Sequence, residues 1–313
     1  MTLLIKTEMP GLSGFFGYAR ERYLTKLSKD SGKPKPWTND PILRQYRFCN
    51  VHREDDTVTQ WVRQNITFEN YGQSLVGAIV IARWFNRVET LKQIKQSVEF
   101  PDIKLDLFSS WAESFAELLN WTPYMQSRLH GVKPLVTGAY MIKTPAGMNK
   151  LNGLVWSISK VLDQAHELQD RFIESKSLQK SCAILQEYPY LGPFMAYEVI
   201  TDLRHTPVLS GATDINTWAN PGPGATRGIC RVLGVELGTI SRSSRKDVEE
   251  MQYIMQEILA YSKEDKNWPQ HWPGWEMREV EHTLCEYDKY ERARLGQGTP
   301  KQKYNGLDIN LEQ

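Results

Sequence analysis

The stretch Tyr188-Pro189-Tyr190-Leu191-Gly192-Pro193-Phe194-Met195-Ala196 decides how this chain is read. Apolar residues at helical spacing precede it (Cys182, Ile184, Leu185) and follow it (Met195, Ala196, Val199, Ile200, Leu203). Gly192 and Pro193 interrupt the middle, so the segment predicts two helices joined by a tight turn, a helix-hairpin-helix unit. Glycine lets the backbone approach a nucleic-acid phosphate, and the N–H groups opening the second helix point at the anion. Leu191, Gly192 and Phe194 are therefore candidate DNA contacts, with Pro193 removing one donor. A plain Gly-Pro turn between two buried helices reads the same residues equally well.

Working outward, helical punctuation is frequent. Asp40-Pro41 sets a capping residue before a proline at the first helical position and predicts a helix from residue 41 to about residue 54. Asp55 and Asp56 can cap a following helix carrying Val58, Trp61, Val62 and Ile66 on one face. Further apolar stripes run through 75–85, 111–119, 151–172 and 248–259, and 135–142 is ambiguous. Alternating strand-like runs between Asn-Gly or Asp-Gly turns are nearly absent. The expected fold class is all-α.

The 313 residues are 41% hydrophobic and 24% charged with a formal net charge of +1, which excludes a disordered, collagen-like or disulfide-scaffold chain. Between residues 20 and 47, eight Lys/Arg stand against three Asp/Glu, a local basic excess. Cys49, Cys182, Cys230 and Cys285 lie far apart, offering neither zinc-finger nor iron–sulfur spacing, as in a reducing compartment. The N-terminus lacks a secretion-signal pattern, and the longest apolar run is too short to span a bilayer. A soluble cytoplasmic protein without a membrane partner is expected. No Walker A sequence occurs.

Three further constellations carry possible chemistry. In 212–228, Asp214 precedes a Gly222-Pro223-Gly224 loop that opens a helix bearing Arg227 and Arg231. Backbone amides at a helix start plus a guanidinium suit a phosphate or pyrophosphate. Near the C-terminus, His282, Glu286 and Lys289 fall at i, i+4 and i+7 on one helix face, able to bind an amino acid or phosphate or to move protons. A solvated face of i,i+4 pairs is the plainer alternative. In 46–55, Arg47 and Asn50 share the expected helix stripe with Leu43 and Glu54, and Arg53 borders it; Asn and Arg can read base edges or clamp anions. Here too an Arg–Glu pair at a helix end is an ordinary alternative. Trp268, Trp272 and Trp275 are read as packing residues of an irregular connector ahead of a base-stacking platform. No metal site is expected.

The stretches YRFCNVHRE, TGAYMI, YLGPFMAYEVITDL followed by DINTWANPGPGATRGI, and EHTLCEYDKYER together resemble the α-glutamyl/putrescinyl thymine pyrophosphorylase family of bacteriophages. That family is related to helix-hairpin-helix DNA glycosylases and to the helical domain of 5-hydroxymethyluracil DNA kinases. The resemblance implies a glycosylase-like fold of two helical lobes with a DNA- and base-binding cleft. Composition reads 1–36 as a basic segment and linker, with a Lys/Pro-rich connector over 30–37, and 296–313 as a flexible tail, and the resemblance implies a catalytic region over 37–295 with a second lobe at roughly 151–240. The activity implied is an amine:DNA transferase that replaces the pyrophosphate of 5-(pyrophosphoryloxymethyl)uracil with an amino acid or polyamine.

Asp214 follows Gly192 by 22 residues, close to where helix-hairpin-helix glycosylases keep their catalytic aspartate, and with Glu286 and His282 is a candidate for proton transfer. Gly222, Gly224, Arg227 and Lys289 would hold the pyrophosphate, and Arg47, Asn50, Arg53 and Tyr140 the co-substrate or base. Double-stranded DNA carrying a modified pyrimidine and a small amine are the expected partners. No cofactor is required, although a divalent or monovalent cation at the pyrophosphate or hairpin is compatible with the scheme. Phe194 and Met195 stand where lyase-type glycosylases keep a hairpin lysine, which argues against Schiff-base chemistry. The alternatives are a base-excision enzyme and a non-catalytic DNA-binding module.

Overall fold

Leu75-Val-Gly-Ala-Ile-Val-Ile-Ala-Arg-Trp-Phe85 is apolar on every side, and such a helix has to lie inside the protein. It does, with all eleven residues buried. The structure, a computed structural model, describes residues 8–72, 75–95, 98–100, 103–105, 129, 132–136 and 143–304. The predicted helix at 111–119, Tyr140 and most of 135–142 lie outside the described residues.

The chain divides into two compact units, Met1–Asp56 with Ile215–Gln313, and Thr57–Asp214. The first contains α1 (Leu12–Asp30), α2 (Pro41–Gln45) and a single 3-10 turn (Arg53–Asp55). The contiguous unit follows with α3 (Thr57–Asn65), α4 (Phe68–Tyr71), α5 (Leu75–Phe85), α6 (Val88–Lys95), α7 (Lys150–Leu162), α8 (Ala165–Ser175), α9 (Leu178–Leu185) and α10 (Pro193–Leu203). The chain then returns to the first unit with α11 (Pro223–Leu233), α12 (Arg245–Tyr261) and α13 (Met277–Arg294). Among the described residues, one antiparallel pair of three-residue strands, β1 (Val98–Phe100) and β2 (Ile103–Leu105), is the exception to an all-α architecture. No described helix is long and apolar enough to cross a membrane.

In the 57–214 unit, α5 packs against α7, α8 and α10. Arg83, on this otherwise apolar helix, is fully buried and forks onto Asp202 of α10, which is equally buried. Its remaining donors reach Asn86 Oδ1 at 2.9 Å and Thr59 Oγ1 at 2.7 Å, so the guanidinium has a partner on each side. Removing either charge would strand the other in a dry core.

In the other unit, α13 is the organising helix. Glu276 and Glu279 form a reciprocal capping box at its start, and α1, α11 and α12 all pack on it. The closest packing is with α11, where two glycines let the backbones approach. A Cβ on Gly224 would lie 2.4 Å from Cys285 Sγ, and one on Gly228 would lie 2.2 Å from the Leu284 carbonyl oxygen. Aromatic contacts fill the unit further: Phe15 meets Trp275 and Tyr287 edge-on, Tyr23 meets His52 edge-on, and Tyr23 meets Trp268 and Trp272 at a tilt. The tryptophans are thus packing residues, with Trp268 and Trp275 buried.

The structure departs from the sequence reading at four places. α1 occupies most of the stretch read as a basic segment and linker; its buried stripe of Phe15, Phe16, Ala19 and Tyr23 is diluted by Arg20, Arg22 and Lys26. The helix from residue 41 stops at Gln45. Tyr46 turns extended, and 45–47 exchange backbone hydrogen bonds with 302–304 instead, around an antiparallel Tyr46–Lys303 bridge. That same pairing ties down the start of the stretch read as a free tail. The single stripe over 151–172 is two helices broken at Asp163-Gln164.

Candidate functional site

The capping box fixes where α13 starts, and its 3.6-residue period then sets two neighbouring faces. One face carries His282, Glu286 and Lys289 toward the extended strip after α2. Glu286 is buried there, and its Oε2 accepts from the Cys49 backbone N–H at 2.8 Å and from Lys289 Nζ at 2.7 Å. Lys289 also lies 4.7 Å above the Phe48 ring. Burial pushes the Glu286 carboxyl up, but the Lys289 ammonium, His282 and the two hydrogen bonds outweigh it, and it settles below the usual carboxylate range. The result is a carboxylate held ionised beside a cation, with an imidazole one turn away.

Because the 41–54 helix does not form, Arg47, Asn50 and Glu54 share no helical stripe. Arg47 is exposed, its guanidinium 5.3 Å from the centre of the Tyr304 ring. Asn50 accepts from Arg22 at 2.5 Å and donates to the Asp55 carbonyl at 2.9 Å, so its amide is engaged within the protein. The Arg53 N–H faces Glu279 at 3.4 Å. Asn50 and Arg53 nevertheless lie on the strip whose Cys49 amide meets Glu286.

The second face of α13 meets α11. Proline at the first helical position and Gly222 before it start α11 as the sequence predicts. The Gly222 N–H donates to Glu281 Oε1 at 3.1 Å, so a carboxylate of this chain already sits at the helix start. Gly224 is occupied with the Cys285 contact. Arg227 Nε donates to Asp288 Oδ2 at 2.8 Å and Arg231 Nε to Oδ1 at 2.9 Å. Arg292 Nε stands 3.2 Å from Oδ2 as an ion pair without hydrogen-bond alignment. Asp288 and Arg292 were not predicted as site residues. Their i,i+4 spacing is visible in the sequence, but the convergence of Arg227 and Arg231 on Asp288 is a tertiary event.

In the 57–214 unit, α9, the turn and α10 form the predicted helical hairpin. Leu191 is buried, Gly192 opens α10 with nothing near its missing side chain, and Phe194 is exposed. Tyr190 takes a positive φ of 64° to make the turn. Asp214 caps α9: Oδ1 accepts from Leu178 N at 2.7 Å, and Oδ2 from Ser177 Oγ at 2.7 Å and Gln179 N at 3.0 Å. A cavity of about 530 Å³ in this unit, between α3 and α6, is lined by none of the predicted residues. Among the described residues no group of His, Cys, Asp and Glu is arranged to hold a metal.

The family described as "5-hmdU DNA kinase, helical domain" matches residues 10–299. A 5-hmdU DNA kinase of Bacillus phage SP10 is 28% identical over 230 residues, 67% of this chain and 34% of that protein. The chain therefore spans about a third of the length of the curated relative it matches. No solved structure matches it.

Proposed function

The chain belongs to the family of 5-hmdU DNA kinase helical domains, and from that premise we propose that it modifies the hydroxymethyl-derived substituent of a thymine-like base in phage DNA. Phosphorylating a hydroxymethyl group on a pyrimidine ring creates a leaving group on an activated carbon. We assign this chain the step that uses it. An amine nitrogen bonds to the methylene carbon as the C–O bond to pyrophosphate breaks, and the amine gives up one proton.

The observation that carries this reading is Glu286, a buried carboxylate kept ionised 2.7 Å from an ammonium, with His282 on the same helix face. A carboxylate of that kind suits the ammonium group of an amino acid or polyamine. His282, on the same helix face, then takes the released proton. Arg227 and Lys289 are assigned to the departing pyrophosphate, with Gly222 and Gly224 serving to start α11 against α13, and Arg47 and Arg53 are assigned to the co-substrate, with Asn50 bracing their strip between Arg22 and Asp55. The hairpin residues Leu191, Gly192 and Phe194 are assigned to the DNA backbone, with the target base extruded at a cost of a few kcal/mol. Asp214 has both oxygens engaged by three hydrogen bonds in its cap, and we place it as the residue that positions α9 before the hairpin.

Nucleoside mass spectrometry tests the reading, using DNA that carries pyrophosphorylated hydroxymethyluracil and candidate amines. A heavier nucleoside with release of pyrophosphate is expected, and Glu286→Gln should lower its yield at least 100-fold with DNA binding retained. Abasic sites would establish base excision in its place. Unchanged DNA across all amines would leave a DNA-binding module.

A further inference from the structure

Three arginines, Arg227 and Arg231 of α11 and Arg292 of α13, converge on one carboxylate, Asp288, which is 0% exposed. Three cations on one anion leave an excess of two positive charges at this spot. Arg227 and Arg231 hydrogen-bond Asp288 through Nε only and Arg292 stands nearest it with Nε, whereas a paired arginine ordinarily forks onto a carboxylate with two nitrogens. Arg231 uses a second nitrogen on Gln297 Oε1 at 2.9 Å. The terminal nitrogens of Arg227 and Arg292 have no partner among the described residues, and these side chains are 37% and 38% exposed. The residue facing Arg292 Nη1 is Gly298, where even an added Cβ would remain 3.9 Å away.

We propose that Arg227 and Arg292, steered by Asp288 and backed by Arg231, form a clamp for a multiply charged phosphoryl group, phosphate or pyrophosphate. Asp288 is a positioning residue. It holds the Nε edges inward and so turns the four terminal nitrogens toward solvent, where two forks can take adjacent oxygens of one anion. The clamp deepens the function proposed above, resting on it only for the identity of the phosphoryl group as a leaving group. Its capacity to bind the anion is independent of the transfer chemistry.

Isothermal titration of the full chain with inorganic pyrophosphate, inorganic phosphate and unmodified duplex DNA, in separate experiments, tests it. Pyrophosphate should bind more tightly than phosphate. Arg292→Gln and Arg227→Gln should each weaken pyrophosphate at least tenfold, while changing affinity for the unmodified duplex less than threefold. Arg292→Lys, which keeps the charge and loses the fork, should fall between. Circular dichroism of each variant checks the fold, and Arg292→Lys supplies the comparison should Arg227→Gln unfold. Failure to bind pyrophosphate, or equal affinities for wild type and Arg292→Gln, overturns the clamp. So does an equal loss for pyrophosphate and plain duplex, which would assign the arginines to the DNA backbone. Pyrophosphate binding that depends on Arg292, with no heavier nucleoside formed, keeps the clamp and discards the transferase.

Discussion

The two units each bury an aspartate against arginine, and they do so differently. At Arg83 one guanidinium meets Asp202, Asn86 and Thr59, has no exposed surface and satisfies its donors within the protein. At Asp288 three guanidiniums meet one carboxylate, and two of them reach solvent with terminal nitrogens unpartnered among the described residues. The first arrangement is closed and serves folding. The second is over-supplied with cations, and a protein that only needed to neutralise Asp288 would need one arginine.

The largest effect should come from breaking the closed network. Asp202→Ala strands Arg83 without its counter-charge, and urea unfolding should register a loss of about 3–5 kcal/mol. Arg292→Gln, by contrast, should cost less than about 1 kcal/mol, as for a partly exposed pair. Equal losses would erase the distinction between the two networks.

A second measurement separates both networks from the aromatic cluster beside α13. His52 is 6% exposed between Tyr23 and Trp268, its Nε2 lacks a partner, and burial, aided by Arg278 and Lys26 against the opposing pull of Asp55, brings its pKa down to about 4. The unfolded chain, titrating near 6.5, takes up a proton that the folded one refuses. Stability should therefore be full above about pH 6.5 and fall as pH drops toward 4, by roughly 3 kcal/mol in all. His52→Phe should lose that part of the slope; an unaltered profile would assign it to the carboxylates.

A third measurement probes the backbone contact that supports the Asp288 cluster. Gly228→Ala places a methyl group against the Leu284 carbonyl and should cost about 1–3 kcal/mol through displacement of α11 from α13. Pyrophosphate affinity measured on the same variant should drop with it. Retained affinity would mean that the arginines adjust without the helices.

The parts legible in the sequence were those governed by local rules. The unbroken apolar run made α5, Asp40-Pro41 capped α2 as read, and Gly192-Pro193 made the turn between α9 and α10. The face of His282, Glu286 and Lys289 followed from the helical period, and the structure adds the Cys49 amide that meets it. What stayed hidden depends on distant partners. Strand-like behaviour at 45–47 requires 302–304, and the arginines of α11 find Asp288 some sixty residues on. Gly224 reads as part of the loop that opens α11, yet its spacing to Gly228 is also what allows α13 to come close.

The discontinuity of the first unit has a consequence for how the chain is made. Residues 57–214 are contiguous and can collapse as soon as they leave the ribosome, but α1 waits for α13, whose Tyr287 and nearby Trp275 cover its phenylalanines. During that interval Phe15 and Phe16 stand uncovered on a nascent helix. Chaperone capture and aggregation in a truncated translation product should both concentrate at this amino-terminal aromatic stripe.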